Sequence, residues 1–293
     1  MRTADSPTAP SVWDPMLNIQ QLLVDNFVAG IKQAYTQMYG DLESTYVSVL
    51  EWAGRLALEN ISNSDMLYHD VEHTVMVTMA GQAILKGKHL SEGGVSPRDW
   101  LHFTLATLCH DIGYVRGVCK QDDGNVVASG VDGGTIEIVP TGTDVVLTPH
   151  HVDRSKLFVR ERFGGSQLVD IDVDRIADYI EMTRFPIPDD EFHQDTTSLR
   201  AMLRSADLIG QLGDPGYLRK LPALYYEFHE LGTLDNIGCS SPTEMRHNYS
   251  GFYWNVVRPY VTDALRYLRI TQEGKAWVAN MHNHVFDVEH REV

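Results

Sequence analysis

The sequence has few cysteines, and their arrangement excludes two common uses of that residue. The 293 residues include only three, Cys109, Cys119 and Cys239. An odd number without CxxC spacing is not typical of a disulfide framework or a cysteine-based zinc site. Long apolar runs are lacking too, since no stretch approaches the roughly 18 residues of a membrane span. The start, MRTADSPTAPSVWDP, has no apolar signal core. These absences predict a cytoplasmic protein with no membrane partner.

Basic residues are also scarce. The chain has 24 Lys and Arg against 40 Asp and Glu, a formal net charge of −16. A surface of that sign repels phosphate backbones, so we do not expect a nucleic acid polymer as a partner. It would also repel a small anionic substrate unless a bound cation neutralised the charge locally. The sequence leaves the oligomeric state open, including a homo-oligomer.

Apolar residues recur at helical spacing along most of the chain, which predicts an all-α fold with a single domain. The residues from 115 to 149 differ, because they are rich in Gly, Asp, Val and Thr. We interpret them as a long loop, with room for a short hairpin, that acts as a lid or specificity element over a site. The predicted domain spans 13–284, between a flexible arm at 1–12 and a polar tail at 285–293. The predicted helices lie at 15–39, 41–60, 66–86, 97–110, 151–163, 171–183, 197–210, 217–231 and 250–282.

The segment LATLCHDIGY, residues 105–114, ends an apolar helix on an adjacent His and Asp. Buried polar groups without partners are costly, so this pair needs a compensating interaction. LYHDVEHTVMV at 67–77 places His69 and His73 four residues apart, which predicts that they share one helix face. Asp207 lies in another apolar run, LRSADLIG. One divalent ion (Zn, Mn, Fe or Mg) bound by His73, His110, Asp111 and Asp207 would satisfy these groups.

The order H…HD…D across helices resembles the HD superfamily of metal-dependent phosphohydrolases. Within it, YHDVEH at 68–73 and SADLIG at 205–210 are most similar to the catalytic domain of cyclic nucleotide phosphodiesterases. The resemblance covers about 65–235 and implies an HD-type helical bundle. It implies hydrolysis of a small phosphoester, such as a nucleotide or cyclic nucleotide, by hydroxide on one or two divalent ions. Asp70 stands where the family has Asn, and the 115–149 loop is not part of the family pattern.

The resemblance also assigns roles to individual residues. Asp111 would bridge two ions and so take part in catalysis, and His69 would be the general acid. His151, or else His150, would lie near the second ion. The metal ligands would be His73, His110, Asp111 and Asp207. From the sequence itself, Arg154 and Lys156 could meet a phosphate or could lie on a solvated helix face.

Two other functions remain open at this point. One is an HD domain that senses a nucleotide without hydrolysing it, although such a binder has no need of the acid at His69. The other is a di-iron oxygenase of the HD type, for which His150 and His151 would supply additional ligands.

Overall fold

The computed structural model describes residues 18–165 and 170–290. The predicted all-α, single-domain fold is confirmed. The predicted arm at 1–12 lies outside the described residues. The α-helices are α1 (Ile19–Tyr39), α2 (Ser44–Ile61), α3 (Val71–Glu92), α4 (Pro97–Cys109), α5 (His151–Phe163), α6 (Val173–Glu181), α7 (Glu191–Gln194), α8 (Leu199–Leu212), α9 (Tyr217–Leu231), α10 (Leu234–Ile237), α11 (Pro242–His247), α12 (Tyr249–Phe252), α13 (Arg258–Leu268) and α14 (Gln272–His290).

Helices α3 and α8 form the most extensive helix pair and lie at the centre of the fold. Helix α3 also packs against α4 and α13, and α8 packs against α13 and α6. A Cβ atom at Gly210 would lie 2.6 Å from the Cα of Val77, so only glycine allows the two backbones to come this close. His73 and Asp207 each precede this contact by about one helical turn. The close packing therefore brings them to the same side of the pair.

Helix α4 ends at Cys109, and His110 and Asp111 lead into a 3₁₀ turn at Ile112–Tyr114. A Cβ atom at Gly113 would lie 2.0 Å from the carbonyl oxygen of His151. The Gly113 amide also donates a hydrogen bond of 2.8 Å to the hydroxyl of Ser155 on α5. Glycine thus lets the HD turn pack directly on the start of α5, which brings His151 towards Asp111.

Helix α3 begins later than predicted, at Val71 rather than 66, and runs on to Glu92. Asp70 has an extended backbone, and its carboxylate accepts a hydrogen bond of 3.0 Å from the His73 amide. This is a typical N-cap interaction, and it places the start of the helix at Val71. His69 therefore precedes the helix, so the prediction that His69 and His73 share a helix face is wrong.

In the C-terminal region the spacing predicted one helix at 250–282, whereas the structure has three α-helices, α12, α13 and α14. A π-helical turn, Tyr253–Val257, joins α12 to α13. The chain then turns at 269–271, and the Thr271 hydroxyl accepts a hydrogen bond from the Gly274 amide at the start of α14. Helix α14 continues to His290, so the described part of the predicted polar tail, 285–290, is helical.

The Gly-rich segment at 115–149 contains the predicted hairpin, with β1 (Val126–Ala128) antiparallel to β2 (Thr135–Glu137). The fully buried Arg154 fastens it to α5. Its guanidinium donates to the carbonyl oxygens of Gly113, Val115 and Ala128 and to the carboxylate of Asp122, at 2.7 to 3.1 Å. All five guanidinium hydrogens thus have partners, so neither possibility left open for Arg154, a phosphate contact or a solvated helix face, describes this buried side chain.

Within 18–165 and 170–290, none of the helices combines the length and apolar character of a membrane span.

Candidate metal centre

Four side chains from three parts of the fold converge between α3, α4 and α8. The Nε2 atom of His73 lies 3.3 Å from Asp111 Oδ2 and 3.3 Å from Asp207 Oδ1. His110 Nε2 lies 3.1 Å from Asp111 Oδ2 and 3.3 Å from His73 Nε2. Atoms bound tetrahedrally to one ion at about 2.1 Å lie about 3.4 Å from one another. The buried group of His73, His110 and Asp111 could hold a metal ion.

The hydrogen bonding of these residues also fits the binding of a cation. Asp111 Oδ2 is fully buried and accepts no hydrogen bond within the described chain. Leaving such a group unsatisfied costs about 1 to 3 kcal/mol. His110 Nδ1 lies 2.8 Å from the carbonyl oxygen of Thr107. This contact puts the proton on Nδ1 and leaves the Nε2 lone pair for an ion.

The negative charge of the two carboxylates strongly favours positive charge on neighbouring groups in the cluster. Burial disfavours protonated His73, but the neighbouring carboxylates of Asp111 and Asp207 outweigh this effect and raise the pKa of His73 to about 10. Burial opposes ionisation of Asp111, but neighbouring histidines hold its pKa well below the usual range. A bound cation would take the place of the protons that these imidazoles otherwise carry.

His69 lies beside the cluster in contact with a carboxylate that the sequence analysis missed. Glu227 of α9 is 3% exposed, and its Oε2 lies 2.6 Å from His69 Nδ1. The other oxygen, Oε1, accepts a hydrogen bond of 2.6 Å from the Tyr68 amide. Burial disfavours protonated His69, but the charge and hydrogen bond of Glu227 prevail and raise its pKa. The contact fixes Nδ1 as a donor and leaves Nε2 for a ligand.

Tyr114 joins His69 to His151 in an aromatic stack. Its ring centroid lies 5.0 Å from that of His69 and 4.3 Å from that of His151, nearly parallel to the latter. His151 Nδ1 donates to the carbonyl oxygen of Thr148 at 2.6 Å, and Nε2 lies 3.9 Å from Asp111 Oδ1. That oxygen is the one turned away from His73. His151 therefore faces the centre, whereas His150 occupies the N-cap position of α5.

The centre borders a cleft of about 920 Å³. His69, Asp111, Asp207 and Glu227 are among the residues that line it. The walls are mostly apolar, with three amide side chains among them. The apolar lining includes Leu221, Leu224, Phe228, Met245, Phe252 and Val256, and the amides are Gln211, Asn248 and Asn255.

A sequence model of the Npun_R2479-like family matches residues 17–291. The chain belongs to the Npun_R2479-like family. No curated protein matches the chain. The Npun_R2479-like match spans the whole cluster, His69, Glu227 and the cleft, so the site lies within the family domain.

The long loop does not cover the cleft in this Npun_R2479-like chain. Of the described residues from 115 to 149, only Thr148 is among the cleft-lining residues. The middle of the loop is fastened elsewhere by Arg154, and Arg116 binds the Asp144 carboxylate at 2.8 Å. The loop therefore does not form the predicted lid over the cleft, and its alternative role as a specificity element stays a prediction that involves Thr148.

Lys156 lies outside the cleft, where its ammonium contacts Asp153 at 2.7 Å and Glu181 at 2.5 Å. Two carboxylates thus neutralise the ammonium for which the sequence left open a phosphate contact or a solvated helix face. The basic residues that line the cleft are instead Arg184 and Arg204. Arg184 shares the carboxylates of Asp153 and Glu181 with Lys156.

The sequence contains only weak signals for the residues that were missed. Glu227 lies in ALYYEFHEL on the otherwise apolar face of α9, where a lone carboxylate indicates a buried partner. Tyr114 directly follows the HDIG turn, but an aromatic residue there is equally typical of a core.

Proposed function

We propose that this chain is a metal-dependent phosphohydrolase of the HD type, which hydrolyses a small phosphoester in the cleft. The observation that carries the proposal is the convergence of His73, His110, Asp111 and Asp207 beside a histidine held by a buried glutamate. Of the substrates, nucleotides and cyclic nucleotides are the first class to test, because the resemblance in sequence favours them. The three cysteines are unpaired, which fits a reducing compartment such as the cytoplasm.

The four side chains would hold a divalent ion (Zn, Mn, Fe or Mg), and Asp111 Oδ1, which lies 3.9 Å from His151 Nε2, would be available to a second one. When bound, such ions supply positive charge against the phosphate and lower the pKa of water towards neutrality. Asp111 and Asp207 keep the ligand set anionic. The cluster then offsets the repulsion that a chain of net charge −16 exerts on an anionic substrate.

His69 would donate the proton that the departing oxygen needs. Its Nδ1 donates to Glu227. In the protonated imidazolium, Nε2 therefore carries the proton that can be given to the departing oxygen. The raised pKa keeps more of the imidazole protonated near neutral pH than a free histidine would be. Glu227 also accepts a hydrogen bond from the backbone amide of Tyr68. The same carboxylate therefore positions both the imidazole ring of His69 and the backbone that carries it.

The rest of the cleft would bind the organic part of the ester. Its volume of about 920 Å³ is near the upper end of the range for small-molecule sites, about 300 to 1,000 Å³. Apolar walls would cover a ring or chain, and Gln211, Asn248 and Asn255 offer amides to polar edges. Inorganic phosphate alone would leave most of this space unfilled.

The test begins with elemental analysis of the purified protein, followed by a panel of phosphoesters assayed with the metal found. The panel should include cyclic nucleotides, nucleoside monophosphates and p-nitrophenyl esters. His73→Ala should lose metal and activity together, whereas His150→Ala, one residue from His151 but outside the cleft, should keep both. A protein that holds no metal, or one that binds metal without turning over any ester, would contradict the proposal.

A di-iron oxygenase is the second candidate, because His151 Nε2 lies 3.9 Å from the second oxygen of Asp111. That position allows an additional histidine ligand on a second ion. Two irons per chain, with oxygen uptake and no ester hydrolysis, would favour this function. A nucleotide-sensing domain would bind nucleotides without turnover, and the His69–Glu227 pair argues against it.

A further inference from the structure

A second cavity, of about 180 Å³, lies between α13, α14 and the π-helical turn. Arg258, Arg269 and His282 line it, together with the aromatic rings of Tyr253 and Trp254. Among the described residues, no carboxylate lines the cavity. It is separate from the cleft, because the two have no lining residue in common.

The two arginines stand out because the described chain provides neither of them with a carboxylate partner. Asp and Glu outnumber Lys and Arg by 40 to 24, and other basic side chains, such as those of Arg154, Lys156 and Arg184, form ion pairs. Arg266, on the same helix as Arg258, pairs with Glu92 at 3.1 Å. Two unneutralised guanidiniums at one cavity on an acidic protein create a local field that favours an anion.

The geometry of Arg258 leaves its donors free. Its guanidinium carbon lies 5.1 Å from the ring centroid of Trp254, so the indole interacts with the charge and holds the side chain in place. A guanidinium bound through its face keeps its N–H groups at the edge. Those groups match the oxygens of a phosphate in a forked arrangement.

We propose that this cavity binds the phosphate group of a small phosphorylated ligand, with Arg258 and Arg269 as its anion-binding residues. A volume of about 180 Å³ fits a phosphate and a few further atoms, whereas a polymer or membrane surface would also have to approach an acidic protein. The proposal does not depend on the function of the metal centre.

Trp254 provides a local probe, since its side chain lines the cavity and is 42% exposed. The full-length protein, with the metal it carries, is titrated with inorganic phosphate at constant ionic strength while tryptophan fluorescence is recorded. We expect a saturable change that disappears in Trp254→Phe. Arg269→Ala should weaken the apparent affinity by roughly tenfold or more, as expected for loss of a charge-assisted hydrogen bond. Arg266→Ala removes the same charge nearby and should leave the affinity unchanged.

Two controls separate this site from the metal centre and from lipids. Asp111→Ala should keep the fluorescence response, because the metal ligands are not part of the cavity. Vesicles containing phosphatidic acid should produce no response, because the net charge repels them. Circular dichroism identifies any variant that fails to fold. Arg269→Gln serves as a second variant that removes the same charge, in case Arg269→Ala does not fold.

No saturable response to millimolar phosphate would refute the proposal. Equal affinities in Arg269→Ala and Arg266→Ala would refute it as well. A response that is lost in Asp111→Ala but kept in Arg269→Ala would place the phosphate at the metal centre, and a response to vesicles alone would assign the cavity to lipid.

Discussion

His69 and Glu227 provide the sharpest test of the proposed chemistry. His69→Ala removes the ring whose Nδ1 lies 2.6 Å from Glu227, but none of the four side chains that would hold the ion. A positioned general acid contributes roughly 10²–10⁴ in rate, which corresponds to about 3 to 5 kcal/mol of activation free energy. We therefore expect a loss of that size with full metal content.

The loss should depend on the leaving group. An alkoxide has a high pKa and requires a proton as it departs, whereas nitrophenolate has a low pKa and departs without one. His69→Ala should therefore lose most of its activity on alkyl phosphoesters and stay close to wild type on p-nitrophenyl esters. The assay compares kcat/KM for both ester types, with metal content measured on the same samples.

Glu227→Gln tests the positioning of His69 independently. Burial lowers the pKa of His69 and the Glu227 carboxylate raises it, so removing the charge should lower that pKa. Because the acid must be protonated, the alkaline limb of the rate profile should move to lower pH. Glu230→Gln is a matched control on the same helix, since Glu230 contacts the Thr143 amide rather than the site.

Equal losses of His69→Ala on both esters, with metal intact, would mean that His69 positions the phosphate and does not protonate the product. Loss of metal would make His69 a ligand and favour the di-iron candidate. An unchanged pH profile in Glu227→Gln would refute the role given to that residue.

Three further predictions concern the metal and the fold. Asp111→Ala should lose the metal and lower the unfolding temperature, because it leaves buried imidazoles unpaired. His150→Ala should do neither. Elemental analysis and thermal unfolding of both variants test this prediction. In the ion-free protein, the pKa of His73 is raised from 6.5 to about 10, so its stabilising effect is complete below pH 6.5 and is lost as the pH rises to about 10. Urea unfolding across that range should show the decline, and saturating metal should remove it. Gly210→Ala should destabilise the fold by about 1 to 3 kcal/mol or more and reduce metal content. A Cβ atom at Gly30 would meet open space. Gly30→Ala should therefore be neutral or slightly stabilising in the same urea assay.

Helix boundaries were predictable where the chain encodes them locally. Pro97 follows the N-cap Ser96, whose hydroxyl and the Asp99 carboxylate form a capping box, and α4 begins there as predicted. The start of α3 was not, because the cluster of capping residues at 62–65 (SNSD) predicted a start at 66, whereas it is the Asp70 side chain that caps the helix by accepting from the His73 amide. Local capping decided that boundary.

The convergence of His73, His110, Asp111 and Asp207 could be predicted because each is a polar residue in an apolar helical context. Glu227 could not be assigned, because its partner His69 is far away in sequence and only the packing of α9 brings them together. Arg154 was misjudged for a related reason. Its charge suggested a solvated face or a phosphate contact, whereas the carbonyl groups of the hairpin segment, which no local spacing reveals, account for its burial.

The candidate metal centre and the helix packing depend on the same backbone contacts. Gly210 allows α8 to meet α3 one turn from Asp207 and His73, and Gly113 allows the HD turn to meet α5 beside His151. A side chain at either position would separate the backbones that set the distances between ligand atoms. The spacing of about 3.3 Å between those atoms is therefore a property of the packed core rather than of flexible side chains. An ion bound there would stabilise the same helix contacts that place its ligands, so binding and folding should be thermodynamically linked.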